Sequence, residues 1–151
     1  VVGLIDFGIA LLIILGLMIV YSFSPSANIL FLPFFIILVV LAALGVGIWL
    51  SALTIRFRDF QNIVPFLVRF GMFLTPVAYP SSLLVNRIPE WASIIYYLNP
   101  IAGIIDGFRW SILGSSPPNE LSYISFGVVI LLFTSSLFYF KKVERIIADI
   151  V

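Results

Sequence analysis

Between Phe7 and Ile55 no side chain carries a charge, and the one clear interruption of that apolar run is Ser24-Pro25-Ser26-Ala27-Asn28. Each half is about as long as a helix must be to cross a hydrocarbon core of roughly 30 Å, at about 1.5 Å of rise per residue. Neither half keeps the polar face, at the helical period, that a water-soluble core helix shows. The pattern therefore predicts two membrane-spanning helices, about 4–23 and 29–55. Asp6 falls in the opening turn of the first, near enough to the span end to reach water. Pro33 falls in the first turn of the second, where a missing N–H does least harm. Along that second helix Ala43, Gly47 and Ser51 recur every fourth residue, the small-residue spacing that lets membrane helices approach closely.

Two further apolar stretches, about 60–78 and 121–140, complete a four-span, all-α integral membrane fold in a single membrane domain, 1–151. Orientation comes from charge. Arg56 and Arg58, with Asp59, follow the second stretch directly, and Lys141, Lys142 and Arg145 follow the last. Positive residues flanking spans sit on the cytoplasmic side. Both clusters then mark the cytoplasmic face, residues 141–151 form a cytoplasmic tail, and an even number of crossings separates the two. Between Tyr79 and Glu120, Pro80, Pro89, Pro100, Pro117 and Pro118 cut the chain into pieces too short to cross. Two pieces read as short helices, about 90–98 and 101–113, the first opened by Pro89 and the second capped by Asn99 and opened by Pro100. Apolar helices of about 10–14 residues are re-entrant or interfacial. Trp91, Tyr96, Tyr97 and Trp110 suit that depth, and the topology puts the pair on the outer face.

Composition narrows the chemistry. The 151 residues are 62% hydrophobic and 10% charged, with a net charge of +1 and a mean hydropathy of +1.23. These values belong to the membrane class. Cysteine and histidine are both absent, which excludes disulfides and thiolate metal sites and removes the commonest general base and metal ligand. No glycine is followed by lysine, so there is no phosphate-binding P-loop, and no zinc motif is present. The carboxylates are scattered singly, where acid–base work or a divalent metal requires them grouped. If ATP powers transport, another chain must bind it. The chain opens on Val1 without an initiator methionine or a basic leader, and the expectation is a fragment of a longer protein.

Arg69 sits near the middle of the third predicted span. Exposing it to lipid costs at least about 2.5–3.5 kcal/mol, so an arginine there normally faces protein or a water-filled cavity. At 100° per residue Phe66, Phe70 and Phe73 share one stripe, with Arg69 on its flank. Two readings stand side by side: ordinary packing in a chain that is 16% aromatic, or an aromatic path with one cation. The second suits sugar rings, whose C–H faces meet π-faces, and phosphate, which pairs with guanidinium. Asp106 and Arg109 lie three apart on the second short helix, where they can pair on one side of it. That pair reads as structural or as one that holds a gate, ahead of a direct substrate contact.

Arg58-Asp59-Phe60, then Thr75-Pro76-Val77-Ala78-Tyr79-Pro80, Leu98-Asn99-Pro100, Asp106-Gly107-Phe108-Arg109-Trp110, and Phe140-Lys141-Lys142-Val143-Glu144-Arg145 with Ala148-Asp149 follow one another along the chain. In this order and spacing they resemble the membrane permeases of polysaccharide-exporting ABC transporters, which move O-antigen, capsule or teichoic acid chains. The resemblance implies a homodimeric permease of six spans per subunit in the bacterial inner membrane, bound to two copies of a separate ATPase. That ATPase would carry the ATP and magnesium, and the cargo would be a lipid-linked glycan. No catalytic residue, metal, cofactor or nucleic-acid partner is expected in this chain. Two spans and a cytoplasmic coupling helix would precede Val1.

The resemblance also distributes the residues. It assigns Phe66, Arg69, Phe70, Phe73 and Tyr79 to the substrate path. Trp91, Tyr96, Tyr97, Asn99, Asp106, Arg109 and Trp110 go to an outer gate. Arg56, Arg58, Asp59, Lys141, Lys142 and Arg145 go to the cytoplasmic face. Two rivals stay open. An ion- or proton-coupled carrier should bury carboxylates or histidines in its spans, and Phe7–Ile55 has none. A membrane-embedded glycan-handling enzyme should pair acids on one face, where the outer side offers only Glu90 and Glu120 near Arg87, and Asp106 beside Arg109.

Overall fold

The computed structural model describes residues 2–24, 26–57, 59–75 and 89–148. Its helices are α1 (Val2–Val20), α2 (Leu32–Arg56), α3 (Phe60–Leu74), α4 (Glu90–Tyr97), α5 (Pro100–Leu113) and α6 (Ser122–Ala148), with one 3₁₀ turn at Ala27–Phe31. Among the described residues every regular element is helical. Two continuous helical stretches, Ala27–Arg56 and Ser122–Arg145, are long and apolar enough to cross a membrane.

The helix limits follow local chemistry. Ser26 caps the 3₁₀ turn by accepting from the Asn28 N–H at 3.3 Å, and Pro33 stands in the first turn of α2. The second predicted span thus begins as a 3₁₀ turn and becomes α-helix only at Leu32, next to the proline that pre-sets φ. α1 is described from Val2 to Val20, with Asp6 within it. α3 is shorter than the predicted third span: its 15 residues reach about 22 Å. Thr75 ends it in extended backbone, φ −95° and ψ 129°, because Pro76 disfavours the helical region for the residue before it. Residues 76–80, the rest of that predicted span, lie outside the described residues. At the other end, Lys141, Lys142 and Arg145 continue α6 itself as far as Ala148.

α2 and α6 form the spine and run parallel. Phe34 meets Phe126 edge-on, Gly45 meets Phe133, and Trp49 stacks on Tyr139 with ring centroids 4.6 Å apart. The Trp49 indole N–H also donates to Ser135 Oγ at 3.2 Å. Because the partner numbers rise together, both helices begin at one end and both reach their cationic residues at the other. The two expected cytoplasmic clusters therefore share an end of the molecule. On α2 the buried residues Phe35, Leu38, Ala42, Gly45 and Ala52 step by three and four, the spacing of a seam between two helices. On α6 the matching set is Ser122, Ser125, Val129, Ser136 and Val143.

The close approach expected at Ala43, Gly47 and Ser51 occurs elsewhere on α2. A Cβ built on Gly45 would lie 3.1 Å from the Phe133 backbone, whereas one on Gly47 would meet nothing within 4 Å. Ala43, Gly47 and Ser51 instead line an open groove of about 460 Å³ with Gly3 and Phe7 of α1 and Phe140 of α6.

Candidate functional site

At the end where α2 and α6 begin, α4 and α5 close over them. Pro89 stands at the N-cap of α4 in extended conformation, and Asn99 caps α5 through its Oδ1, which accepts the Ile101 N–H at 3.0 Å. Gly114 ends α5 with φ 66°, the left-handed C-terminal stop that glycine reaches without penalty. Its backbone packs beside Ser26, so α5 runs from the start of α6 to the start of α2.

α5 is packed closely against α2 and α6. Ala102 and Ile104 have no exposed surface, and Ile104 packs in one cluster with Phe35, Leu38, Ala42 and Val129. Glycines make this possible. A Cβ on Gly103 would lie 2.8 Å from the Ser122 carbonyl oxygen, and one on Gly107 would overlap the Phe35 ring. Ser111 completes the stripe, its hydroxyl returned to the Gly107 carbonyl at 2.8 Å. Gly103, Gly107 and Ser111 are thus a second small-residue stripe at fourfold spacing, missed in the sequence although the same signal was noted on α2.

The polar heart of the pair is Asp106, only 8% exposed. A buried carboxylate needs hydrogen-bond partners, and the fully buried Tyr97 supplies one: its phenol O–H donates to Asp106 Oδ2 at 3.0 Å. Arg109, the partner expected from spacing, stands with Nη1 3.9 Å from Asp106 Oδ1, a looser contact. Ser125 of α6 adds a second tie, donating from its hydroxyl to the Tyr97 carbonyl at 2.7 Å and accepting the Gly103 N–H at 3.2 Å. Around this centre Tyr96 meets Tyr97 edge-on at 5.0 Å, and Trp110 lies 5.2 Å from Phe31. Trp91 points away, 65% exposed.

The structure therefore brings Tyr96, Tyr97, Asp106 and Arg109 together, with Asn99 at the start of the same helix as its cap and Trp110 packed on Phe31. Ser125, Gly103 and Phe35 are the additions that sequence reasoning missed. Residues 1–113 match the family described as ABC-2 type transporter. The chain belongs to the ABC-2 type transporter family.

Its relatives are similar to it over most of its length. The O-antigen export system permease protein RfbA of Myxococcus xanthus is 26% identical over 147 residues, 95% of this chain and 56% of that protein. Two proteins of the same description from Klebsiella pneumoniae are 29% identical over 139 residues and 32% identical over 98 residues. These alignments take in 91% and 64% of this chain, and 52% and 36% of theirs. This ABC-2 chain thus spans about half the length of the first two. No solved structure matches it.

The other expected regions of the ABC-2 chain stand apart from this centre. On α3, Phe66 and Phe70 stack nearly parallel, centroids 6.1 Å apart, and both they and Arg69 are exposed. The described structure puts nothing over them. The Phe73 side chain and Tyr79 lie outside the described residues. Arg56 rests its guanidinium 5.4 Å above the Phe57 ring. Asp59, Lys141, Lys142 and Arg145 are exposed, and Arg58 lies outside the described residues. Among the described residues no three carboxylates gather as a metal site requires.

Proposed function

We propose that this chain is part of the permease subunit of an ABC exporter that moves a lipid-linked polysaccharide, of O-antigen or teichoic-acid type, across the bacterial inner membrane. The observation that carries the reading is the similarity, over nine-tenths of the chain, to proteins described as O-antigen export permeases. Its membrane placement is supported by the two long apolar helices. A separate ATPase supplies the energy, and a second permease copy completes the conduit. The stacked rings of Phe66 and Phe70, with Arg69 beside them, face out of this chain toward the glycan path. Sugar C–H faces rest on the rings, and the guanidinium holds a phosphate of the lipid carrier. The α4–α5 pair forms the outer gate, and Arg56, Lys141, Lys142 and Arg145 mark the cytoplasmic side.

The test is genetic and chemical. In cells lacking the full-length protein, lipid-linked glycan should accumulate on the cytoplasmic face and vanish from the surface. Supplying the full-length permease with its ATPase should restore display. Normal surface glycan in the deletion strain overturns the reading.

A further inference from the structure

α4 is an amphipathic flap with one deep anchor. Trp91, Ile94, Ile95 and Leu98 are between 44% and 65% exposed, whereas Ser93 is 3% exposed and Tyr97, a large side chain that it buries, is 1% exposed. That buried tyrosine reaches both neighbours of the flap. Its phenol donates to Asp106 on α5, and its carbonyl accepts from Ser125 on α6. Ser125 also accepts the Gly103 N–H, so one hydroxyl ties the end of α4 to the start of α5. Asp106 is correspondingly the acid that joins two helices, whereas Arg109 meets it within a single one, three residues along.

We propose that Tyr97 is the residue that holds α4 closed on α5 and α6, with Asp106 as its acceptor, so that breaking this contact lifts α4. This deepens the outer-gate reading and rests on it only for the consequence in transport. Burial and the hydrogen bonds of Tyr97 to Asp106 and Ser125 favour closure. Opening brings the buried Tyr97 and Ser93 out of their packed positions and leaves Asp106 without its phenol donor, a costly state for a buried carboxylate. The residue specificity is sharp. Phenylalanine at 97 fills the same space and keeps the carbonyl tie to Ser125, but it has no proton to give Asp106.

The experiment uses the absence of cysteine in this chain, with any cysteine elsewhere in the full-length permease first replaced by serine. In the full-length permease, in permeabilised membranes so that the readout does not depend on topology, Ser93→Cys reports the hidden side of α4 and Trp91→Cys its exposed side. A water-soluble maleimide should label the cysteine at 91 quickly and the one at 93 slowly. Adding Tyr97→Phe should speed labelling at 93 about tenfold, the scale of one lost hydrogen bond to a carboxylate, and leave 91 unchanged. Ser125→Ala, which removes the other tie, should raise it as well. Exchanging Asp106→Arg with Arg109→Asp should leave position 93 as open as Tyr97→Phe does, because the carboxylate then sits a turn away from the phenol. Recovery of protection by that exchange would show that the Asp106–Arg109 pair holds the helix and would overturn the proposal. Unchanged labelling at 93 in both Tyr97→Phe and Ser125→Ala would overturn it too. Faster labelling with normal export and no leak of small solutes would uphold the latch while refuting the outer gate.

Discussion

Gly107 shows how much of the site depends on one missing methyl group. The Phe35 ring of α2 occupies the space a Cβ would need there, and Phe35 itself is 3% exposed in the central cluster. Gly107→Ala forces the ring or α5 to shift. Overpacking of this kind typically costs about 1–3 kcal/mol, so thermal unfolding of the detergent-solubilised permease should begin at lower temperature. Adding Phe35→Leu, which gives room back, should recover part of the loss. Gly47→Ala, whose new Cβ has no atom of the described residues within 4 Å, should not lower the unfolding temperature. The contrast is instructive because both glycines belong to stripes of small residues at the same spacing. Spacing marks a helix face that can be approached closely, but it does not say whether another helix comes.

Among the described elements, α3 is held only lightly by this chain, against α2, and the variants to test it follow from exposure. Phe66 and Phe70 are 67% and 55% exposed, so Phe66→Ala and Phe70→Ala remove little packing and should leave expression and thermal stability unaltered. If the rings touch passing glycan, each should reduce export measured as surface polysaccharide. Loss of stability instead would mean that the stripe is covered in the assembled permease and serves packing. The expected third span ran to 78, past the proline before which α3 ends at Thr75, but the start of α5 was legible from Asn99-Pro100, since caps and prolines act through their own backbone. The packing of α5 was not. Its length of 14 residues is that of a re-entrant or interfacial helix alike, and only the glycine-mediated contacts with Ser122 and Phe35 place it among α2 and α6.

For the whole molecule, the parallel run of α2 and α6 makes a topological prediction. Ser24 and Ser116, both exposed, lie in the segments that lead into the 3₁₀ turn before α2 and into α6, whereas Glu144, exposed near the end of α6, lies at the opposite end. Single cysteines at 24 and 116 should react with an impermeant reagent on intact cells. A cysteine at 144 should react only after permeabilisation. Labelling of all three from outside would break the orientation inferred from the cationic clusters.

The apolar runs, the prolines and the cationic clusters were enough to determine an all-helical membrane chain, the approximate helix limits and the resemblance to polysaccharide-export permeases, which the family match and the relatives uphold. These features act over a turn or two of chain, or through transfer to lipid, and need no knowledge of neighbours. Tertiary structure decided what required a partner distant in sequence. It chose Gly45 over Gly47 for contact with α6 and gave the Gly103, Gly107 and Ser111 stripe a role. It also turned Asp106 toward Tyr97 nine residues back and set Ser125 against the Tyr97 carbonyl across 28 residues. The reason is physical: a side chain's period states which face it occupies, while its energy depends on the atoms that face meets, and those are fixed only when the helices pack.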